Sequence, residues 1–519
     1  MTGGSDLPTL EDVPWFFTFG DVLRELARSR PSQLAVVDGS VRLTYSQLEG
    51  RVNRLANWLA TRVRPGDRVL WFGQNSFRAL EALVASAKLG AIFCPANWRG
   101  SADEMTFVLG DLEPEVVIWQ EAEIGASVRA VRERFQGSSQ WVQHDGTSED
   151  GYESLLASMP DSDQVGTVDP SAPLLAIYTA AFSGTPGAAM LSHLALLVQG
   201  LVIGRTHEVS AESVCLSSTP LFHVASFLFL NATFVHGGTN VFLARTDPES
   251  MCRVIEAERC SHAIVFPPTM EAIRAAATEG RFDVSSLWPD PGLSARSTML
   301  TPPTAPWARR SGGYGQTEVG GLVTFAAFTT APEDAKSGRP LPVAAVRIVA
   351  EDGREVAEGE VGEIAVRGLT TMSGYFRRET LNAERRRGGW HHTNDLGRRN
   401  ADGTISFVGP KTRLIKSGSE NIYPADVEAR LAGHPAVAEV CVLGVPDDRW
   451  TQSVRAIVVL RPGLEASEAE LIAYCVAGIA SYKKPRSVMF VDELPRNAGG
   501  SVDRDAVDDT FGGGGYPGT

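Results

Sequence analysis

Between Tyr45 and Cys94 the chain alternates between a helical and a strand rhythm, and that alternation constrains its fold more than any other feature. The segment Tyr45–Leu59 (YSQLEGRVNRLANWL) repeats apolar residues at three- and four-residue spacing, as a half-buried helix does. Gly66-Asp67 then breaks the chain ahead of a short apolar run, Arg68–Phe72 (RVLWF). A second helical stretch, Phe77–Leu89, leads into another apolar run at residues 91–94. Strand and helix in this order predict parallel strands joined by crossover helices, hence layered α/β architecture.

Past about Lys336 the rhythm shortens. Strand-like segments at residues 346–349 and 362–366, with turns at Asp352-Gly353 and Asp402-Gly403, predict a β-rich subdomain. After Gly409 the run KTRLIKSG (411–418) precedes a new α+β segment, with a helix near 424–431 and strands near 437–445 and 454–460. A chain of 519 residues exceeds what one core usually organises. The expected division is a large N-terminal domain of α/β subdomains over residues 1–412 and a small, mobile α+β domain over 413–519. The Gly-rich end, TFGGGGYPGT, predicts disorder from about residue 510.

Composition narrows the function classes. A net charge of -14 argues against nucleic acid, which is bound by clustered Lys and Arg. No basic leader with an apolar run opens the chain, and no uninterrupted apolar stretch is long enough to span a membrane, so a cytoplasmic protein without a membrane partner is expected. The six cysteines are scattered, without a CxxC pair, and read as structural thiols. The nine histidines show no zinc-like spacing, and the adjacent His391 and His392 are expected to be a surface pair.

Four strings, LTYSQLEGRVNRLANWL from Leu43, GEIAVRGLTTMSGY from Gly362, GWHHTNDLGRRNADGTISFVG from Gly389 and NIYPADVEARLAGHPAVAEVCVLGVPDD from Asn421, resemble in order and spacing the adenylate-forming superfamily of acyl-CoA synthetases, luciferases and adenylation domains. The resemblance covers nearly the whole chain. It implies an adenylate site at Tyr314, Gly315, Gln316, Thr317 and Glu318, with Tyr314 on adenine, Thr317 on the α-phosphate and Glu318 helping to hold magnesium. Asp395 matches the carboxylate that accepts from both ribose hydroxyls, a task suited to an ionised acceptor. Phe222 and His223 match the junction of acyl pocket and pantetheine tunnel, where His223 is a gate or base if it is not simply a core histidine. The small residues Ala225, Ser226, Gly320 and Gly321 would leave room for a bulky acyl group. Gly418, Ser419 and Glu420 match the segment that turns to the site for thioester formation and binds CoA, and Arg413 stands at the hinge.

Several matching positions depart from the family. The phosphate-loop segment, residues 178–193, has Ala180, Ala181 and Phe182 for polar or small residues and Gly187 for a lysine. A triphosphate needs donors and positive charge; Ser183, Gly184 and Thr185 remain, but the loop has lost most of its polar groups and its lysine and looks poorly suited to ATP. Ser501 stands where the resemblance implies the lysine that promotes adenylation, and loss of one such transition-state donor costs roughly 100- to 1,000-fold in rate. Pro410 replaces an arginine that touches ribose, and residues 292–297 lack the usual adenine-binding pattern. Thiol attack on a mixed anhydride asks less of the protein, because the acyl group is already activated.

The expected function is thioesterification of a preformed acyl-adenylate: acyl-AMP and CoA enter as substrates, acyl-CoA and AMP leave. No tightly bound cofactor is expected, magnesium at Glu318 is left open, and a separate enzyme would make the adenylate. The pattern is similar to non-adenylating acyl-CoA synthetases acting on bulky diterpenoid acids. Two alternatives stay open: a complete ATP-dependent acid–CoA ligase in which Lys483, Lys484 or Arg504 replaces the missing lysines, and a catalytically silent adenylate-binding protein.

Overall fold

The computed structural model describes residues 16–149, 151–163, 166–179, 186–265, 267–287, 299–300, 313–325, 338–411, 413–418, 420–496 and 502–514. Tyr45–Leu59 is a helix because Thr44 and Gln47 cap its first turn reciprocally, side chain to backbone N–H. Phe77–Leu89 begins at a Ser76 cap and stops at Gly90, whose φ of +68° a side chain would strain. The crossover reading holds. Arg68–Phe72 lies parallel to both Ile92–Pro95 and Val116–Trp119, at the middle of a sheet that runs, among the described residues, Gly374–Tyr375, Gly187–Ser192, Pro173–Thr179, Ile92–Pro95, Arg68–Phe72, Val116–Trp119, Gln140–Gln143.

A second sheet runs Met299–Leu300, His262–Ile264, Val214–Ser217, Thr239–Phe242, Leu34–Asp38, Val41–Thr44. Helices Tyr45–Leu59 and Phe77–Leu89 pack in the main core with Trp71, Phe93, Phe227 and Phe234, all almost fully buried. Each such side chain contributes about 1.5–3 kcal/mol relative to exposure.

The β-rich subdomain is an antiparallel sheet of Ala344–Val349, Gly362–Gly368, His391–Arg399 and Ile405–Pro410. Its inner face buries Val346, Ile348, Ile364, Val366 and Ile405 in one cluster with Tyr314 and Val319. That cluster brings the 313–325 hairpin onto the strand carrying Asp395.

After Arg413, strands Ile415–Ser417 and Glu420–Ile422 form a hairpin on a sheet with Thr451–Leu460 and Val437–Asp447, and Ser487–Phe490 pairs parallel to Thr451–Leu460. This unit touches the large domain through Ser101 Oγ, which donates to Gly478 O at 2.8 Å. Lys483, 12% exposed, lies 2.8 Å from Glu104 Oε1 of the large domain and 3.2 Å from Asp426 Oδ2 of its own. Arg413 pairs with Asp505 at the start of helix Arg504–Thr510.

Two expectations are corrected. Order does not end at residue 510: Phe511 packs on the cluster of Cys441, Ile457 and Val507, its carbonyl accepts from Arg455 Nη1 at 2.9 Å, and Gly514 N donates to Gly444 O at 3.0 Å. His391 and His392 are not a surface pair, since both are buried in the β-rich sheet. All six cysteines are buried and unpaired. Among the described residues no helix is long and apolar enough to cross a membrane.

Candidate active site

The hairpin at Tyr314 is tight because its strands touch backbone to backbone. A Cβ on Gly315 would sit 1.7 Å from Gly321 O, so only glycine fits. The turn Thr317–Val319 closes at Gly320 and Gly321, with φ of +77° and +99°. Tyr314 is buried with its ring stacked on Phe407, 5.7 Å between centroids. Its hydroxyl donates to Asp395 Oδ2 at 2.8 Å, and Gln316 Nε2 donates to Tyr314 Oη at 3.1 Å and to Asp395 Oδ2 at 3.3 Å. Asp395 Oδ1 accepts no hydrogen bond from the described residues. Pro410 stands opposite Asp395 in the sheet register.

Burial pushes the Asp395 carboxyl up to about 6, against the Tyr314 hydrogen bond and the Lys416 charge, which favour the carboxylate. It is therefore mostly ionised at pH 7. Burial, with the Asp395 charge, holds the Tyr314 phenol well above its ordinary value, so it remains a donor. Lys416, itself pushed down by burial, has its ammonium 5.0 Å from the Phe407 ring centre.

Glu318 is buried, and its Oε1 accepts from the Tyr375 hydroxyl at 2.8 Å. Among the described residues no three His, Cys, Asp or Glu side chains gather as a metal site. One carboxylate nevertheless fits a magnesium ion, which takes one or two carboxylates and fills its octahedron with phosphate and water oxygens. Thr317, half-buried, is the neighbouring residue of that turn.

The second part of the site joins the two domains. His223 immediately precedes the helix Val224–His236 without a side-chain bond to its first turn; its ring is 4.5 Å from that of Phe222, and its Nε2 lies 3.6 Å from Glu420 Oε2. That distance is beyond a hydrogen bond. Arg99 Nη1 donates to Glu420 Oε1 at 3.2 Å and its guanidinium lies 5.2 Å from the Phe222 ring centre. Burial raises the Glu420 carboxyl, but His223, Arg99 and Lys483 outweigh it and hold it below its usual value. Gly418, φ +63°, donates its N–H to Trp450 O at 2.7 Å, and a Cβ there would meet Trp450 Cε3 at 3.0 Å.

The structure thus brings Tyr314, Gln316 and Asp395 together, and separately Phe222, His223 and Glu420. Gly320 and Gly321 do not supply open space: a Cβ would meet Thr370 O at 2.6 Å and Leu228 Cδ2 at 2.7 Å, and Gln199 donates to Gly320 O. The expectation of acyl room at these two glycines is corrected on that ground. Ala225 is half-buried, and the cavity beside Ser226 measures only about 10 Å³. Ser419, Ser501, residues 180–185 and residues 292–297 lie outside the described residues. Sequence reasoning missed Arg99 and Tyr375, whose partners Glu420 and Glu318 are far along the chain, and Lys416, at which only the KTRLIKSG run hinted.

Residues 23–376 match the AMP-binding enzyme family, and residues 426–500 match the C-terminal domain of AMP-binding enzymes. The chain is 34% identical to the indoleacetate–CoA ligase of Aromatoleum aromaticum, over 90% of this chain and 92% of that protein. It is equally 34% identical to a feruloyl-CoA synthase of Amycolatopsis, over 94% and 97%. In fold it resembles the amide bond synthetase McbA of Marinactinospora thermotolerans, with a TM-score of 0.83 at 24% identity over 95% of this chain and all of that one. With both family regions matched and the ligase relatives aligned along nearly the whole length, the chain belongs to the AMP-binding, adenylate-forming enzyme family.

Proposed function

We propose that this enzyme is an acyl-CoA synthetase specialised in the second half-reaction, in which the CoA thiol attacks a preformed acyl-adenylate to give acyl-CoA and AMP. The observation that carries the reading is the seating of the small domain: Glu420 stands against His223 and Arg99 of the large domain, with Gly418 in the same hairpin. The groups that would serve ATP are depleted in the same chain, with Ser501 at the lysine position and Ala180, Ala181, Phe182 and Gly187 in the phosphate loop. Asp395 and Tyr314 bind the ribose and adenine side, Thr317 contacts the phosphate, and His223 gates the thiol path. Glu318 would hold magnesium where one is bound; the ion would supply charge neutralisation at phosphate.

The acid we propose is bulky and ring-bearing, of the diterpenoid class, and the adenylate comes from a separate enzyme. The relatives are named for ring-bearing acids, indoleacetate and ferulate. Of the small residues only Ala225 is left to carry the size argument, since Gly320 and Gly321 are closed and the cavity beside Ser226 is only about 10 Å³.

A complete ATP-dependent ligase is the competing reading, and the two ligase relatives favour it. Two of its substitute cations are engaged elsewhere: Lys483 by Glu104 and Asp426, Arg504 by Glu428 at 2.7 Å. The test uses a panel of ring-bearing acids. Synthetic acyl-adenylate plus CoA should give thioester, whereas acid plus ATP should give no exchange of labelled pyrophosphate. Robust exchange would establish the complete ligase; binding of adenylate without thioester would establish a silent binder. Ser501→Lys alone should not create exchange, because the phosphate loop is also changed, and ATP-dependent turnover in that variant would contradict this account.

A further inference from the structure

The adjacent histidines His391 and His392 have no part in the function proposed above. They open the strand His391–Arg399 and, as strand neighbours, face opposite sides of the sheet. His392 joins a charged cluster: its Nδ1 lies 3.3 Å from Glu363 Oε2 and 3.2 Å from Arg387 Nη2. His391 faces the other way, 3% exposed, with Nε2 3.3 Å from Gln316 Oε1 and Nδ1 buried without a partner.

A neutral imidazole carries one proton. Burial, reinforced by the charges of Arg385, His392 and Arg386 and opposed by Glu363, pushes His391 down to about 3, so the neutral ring is the form present. A proton on Nδ1 would bury an unpaired donor and set the Nε2 lone pair against Gln316 Oε1. A proton on Nε2 makes the bond and leaves Nδ1 as the unpaired acceptor, the cheaper defect.

The Gln316 amide has two ends of nearly equal shape and opposite polarity. With its oxygen held by His391, its NH₂ end meets three oxygens: Tyr314 Oη at 3.1 Å, Thr393 O at 3.3 Å and Asp395 Oδ2 at 3.3 Å. Flipped, the amide would present an oxygen to a carbonyl and a carboxylate. The bonds form a directed chain: His391 N–H to Gln316, Gln316 N–H to Tyr314, Tyr314 O–H to Asp395 Oδ2. Such chains polarise and order one another.

We propose that His391 is a positioning residue for ribose recognition, donating to Gln316 so that Gln316 and Tyr314 together hold Asp395 by Oδ2 and leave Oδ1 for the ribose hydroxyls of an adenylate. This rests on the reading of Asp395 as the ribose carboxylate but not on which half-reaction the enzyme performs. The expected effect is on nucleotide selectivity, not on the thiol step.

The test compares AMP with 2′,3′-dideoxy-AMP by calorimetry on the full chain. The wild type should prefer AMP. His391→Phe, which fills the space without a donor, should weaken AMP about tenfold, the worth of one oriented hydrogen bond to a charged group, and leave dideoxy-AMP unchanged. His391→Gln, which returns an N–H at similar reach, should recover most of the preference. Retention of the full AMP preference by a folded His391→Phe overturns the proposal, as does equal weakness of His391→Gln and His391→Phe when both melt like the wild type. If the wild type itself binds the two nucleotides equally, the ribose reading of Asp395 fails first and His391 loses its role with it.

Discussion

The two ends of the proposed site, one for ribose and one for the thiol, are built on different plans. At the ribose end Tyr314, Gln316 and Asp395 come from one domain and are linked to one another at 2.8–3.3 Å. At the thiol end His223 and Arg99 come from the large domain and Glu420 and Gly418 from the small one, and His223 is 38% exposed. A preorganised site spends nothing on reorganisation when its ligand binds. A site assembled across two domains exists only while the domains are seated. Damage at the first should therefore weaken adenylate binding in every state, and damage at the second should touch the CoA step alone.

The sharpest way to break that division is Asp395→Ala. It removes two charge-assisted hydrogen bonds to ribose, each worth about 2 kcal/mol, so KM for acyl-adenylate should rise about 1,000-fold with KM for CoA unchanged. Steady-state kinetics with each substrate varied in turn would show it; a rise below about fivefold would put the ribose elsewhere. Gly418→Trp is the matching lesion at the thiol end, where the backbone is left-handed and Trp450 is already close. Thioester formation should fall about 100-fold, the cost of misplacing reactants by roughly 1 Å, while AMP affinity measured by calorimetry stays put. A parallel loss of AMP affinity would show that the two ends are not independent.

The comparison also separates what could be read from the chain alone. Local rhythm and punctuation carried the helices Tyr45–Leu59 and Phe77–Leu89, the strand Arg68–Phe72 and the β-rich sheet, because periodicity, caps and left-handed glycines act within a few residues. Tyr314 and Asp395 were legible through their motifs. Their convergence was not: the hydroxyl-to-carboxylate bond spans 81 residues, and His391 to Gln316 spans 75. The surface reading of the histidine pair failed because two polar neighbours on a strand looked solvent-facing, while the sheet is covered on both sides there. Gly320 and Gly321 misled for a related reason. A glycine in a sequence looks the same whether it leaves room or lets two backbones meet, and only the positions of Thr370 and Leu228 decide.

A smaller effect follows from protonation at the ribose end. Asp395 stands raised to about 6 by burial, with Tyr314, Lys416, Glu318 and Gln316 facing it. In the proposed role of Asp395 the ribose hydroxyls donate to its carboxylate, so AMP affinity should fall about tenfold for each pH unit below 6. Stability runs the opposite way. A carboxyl raised on folding contributes stability that is fully present below its unfolded value near 4 and lost as pH rises through 6, at most about 3 kcal/mol. In the ligand-free protein, Asp395→Asn should remove that slope, visible as a melting-temperature difference from wild type that changes sign or size between pH 4 and 7. The same slope in both proteins would assign the titration to another group.

The smallest expected effect probes the seam between domains. Glu420 is ionised at neutral pH and meets His223 at 3.6 Å and Arg99 at 3.2 Å; its own side chain is buried, while those of His223 and Arg99 are each more than a third exposed. Ion pairs with one partner open to solvent contribute on the order of 1 kcal/mol or less each. Glu420→Gln keeps the shape and removes the charge, so the rate of thioester formation at saturating substrates should fall about two- to fivefold, with AMP affinity unaltered. Because the Arg99 side chain is 36% exposed, the difference between variant and wild type should shrink in 1 M salt, where the screening length is about 3 Å. A salt-independent loss would mean that Glu420 acts by shape or hydrogen bonding. A loss of AMP affinity would instead couple the seam to the ribose end and erase the distinction between the two.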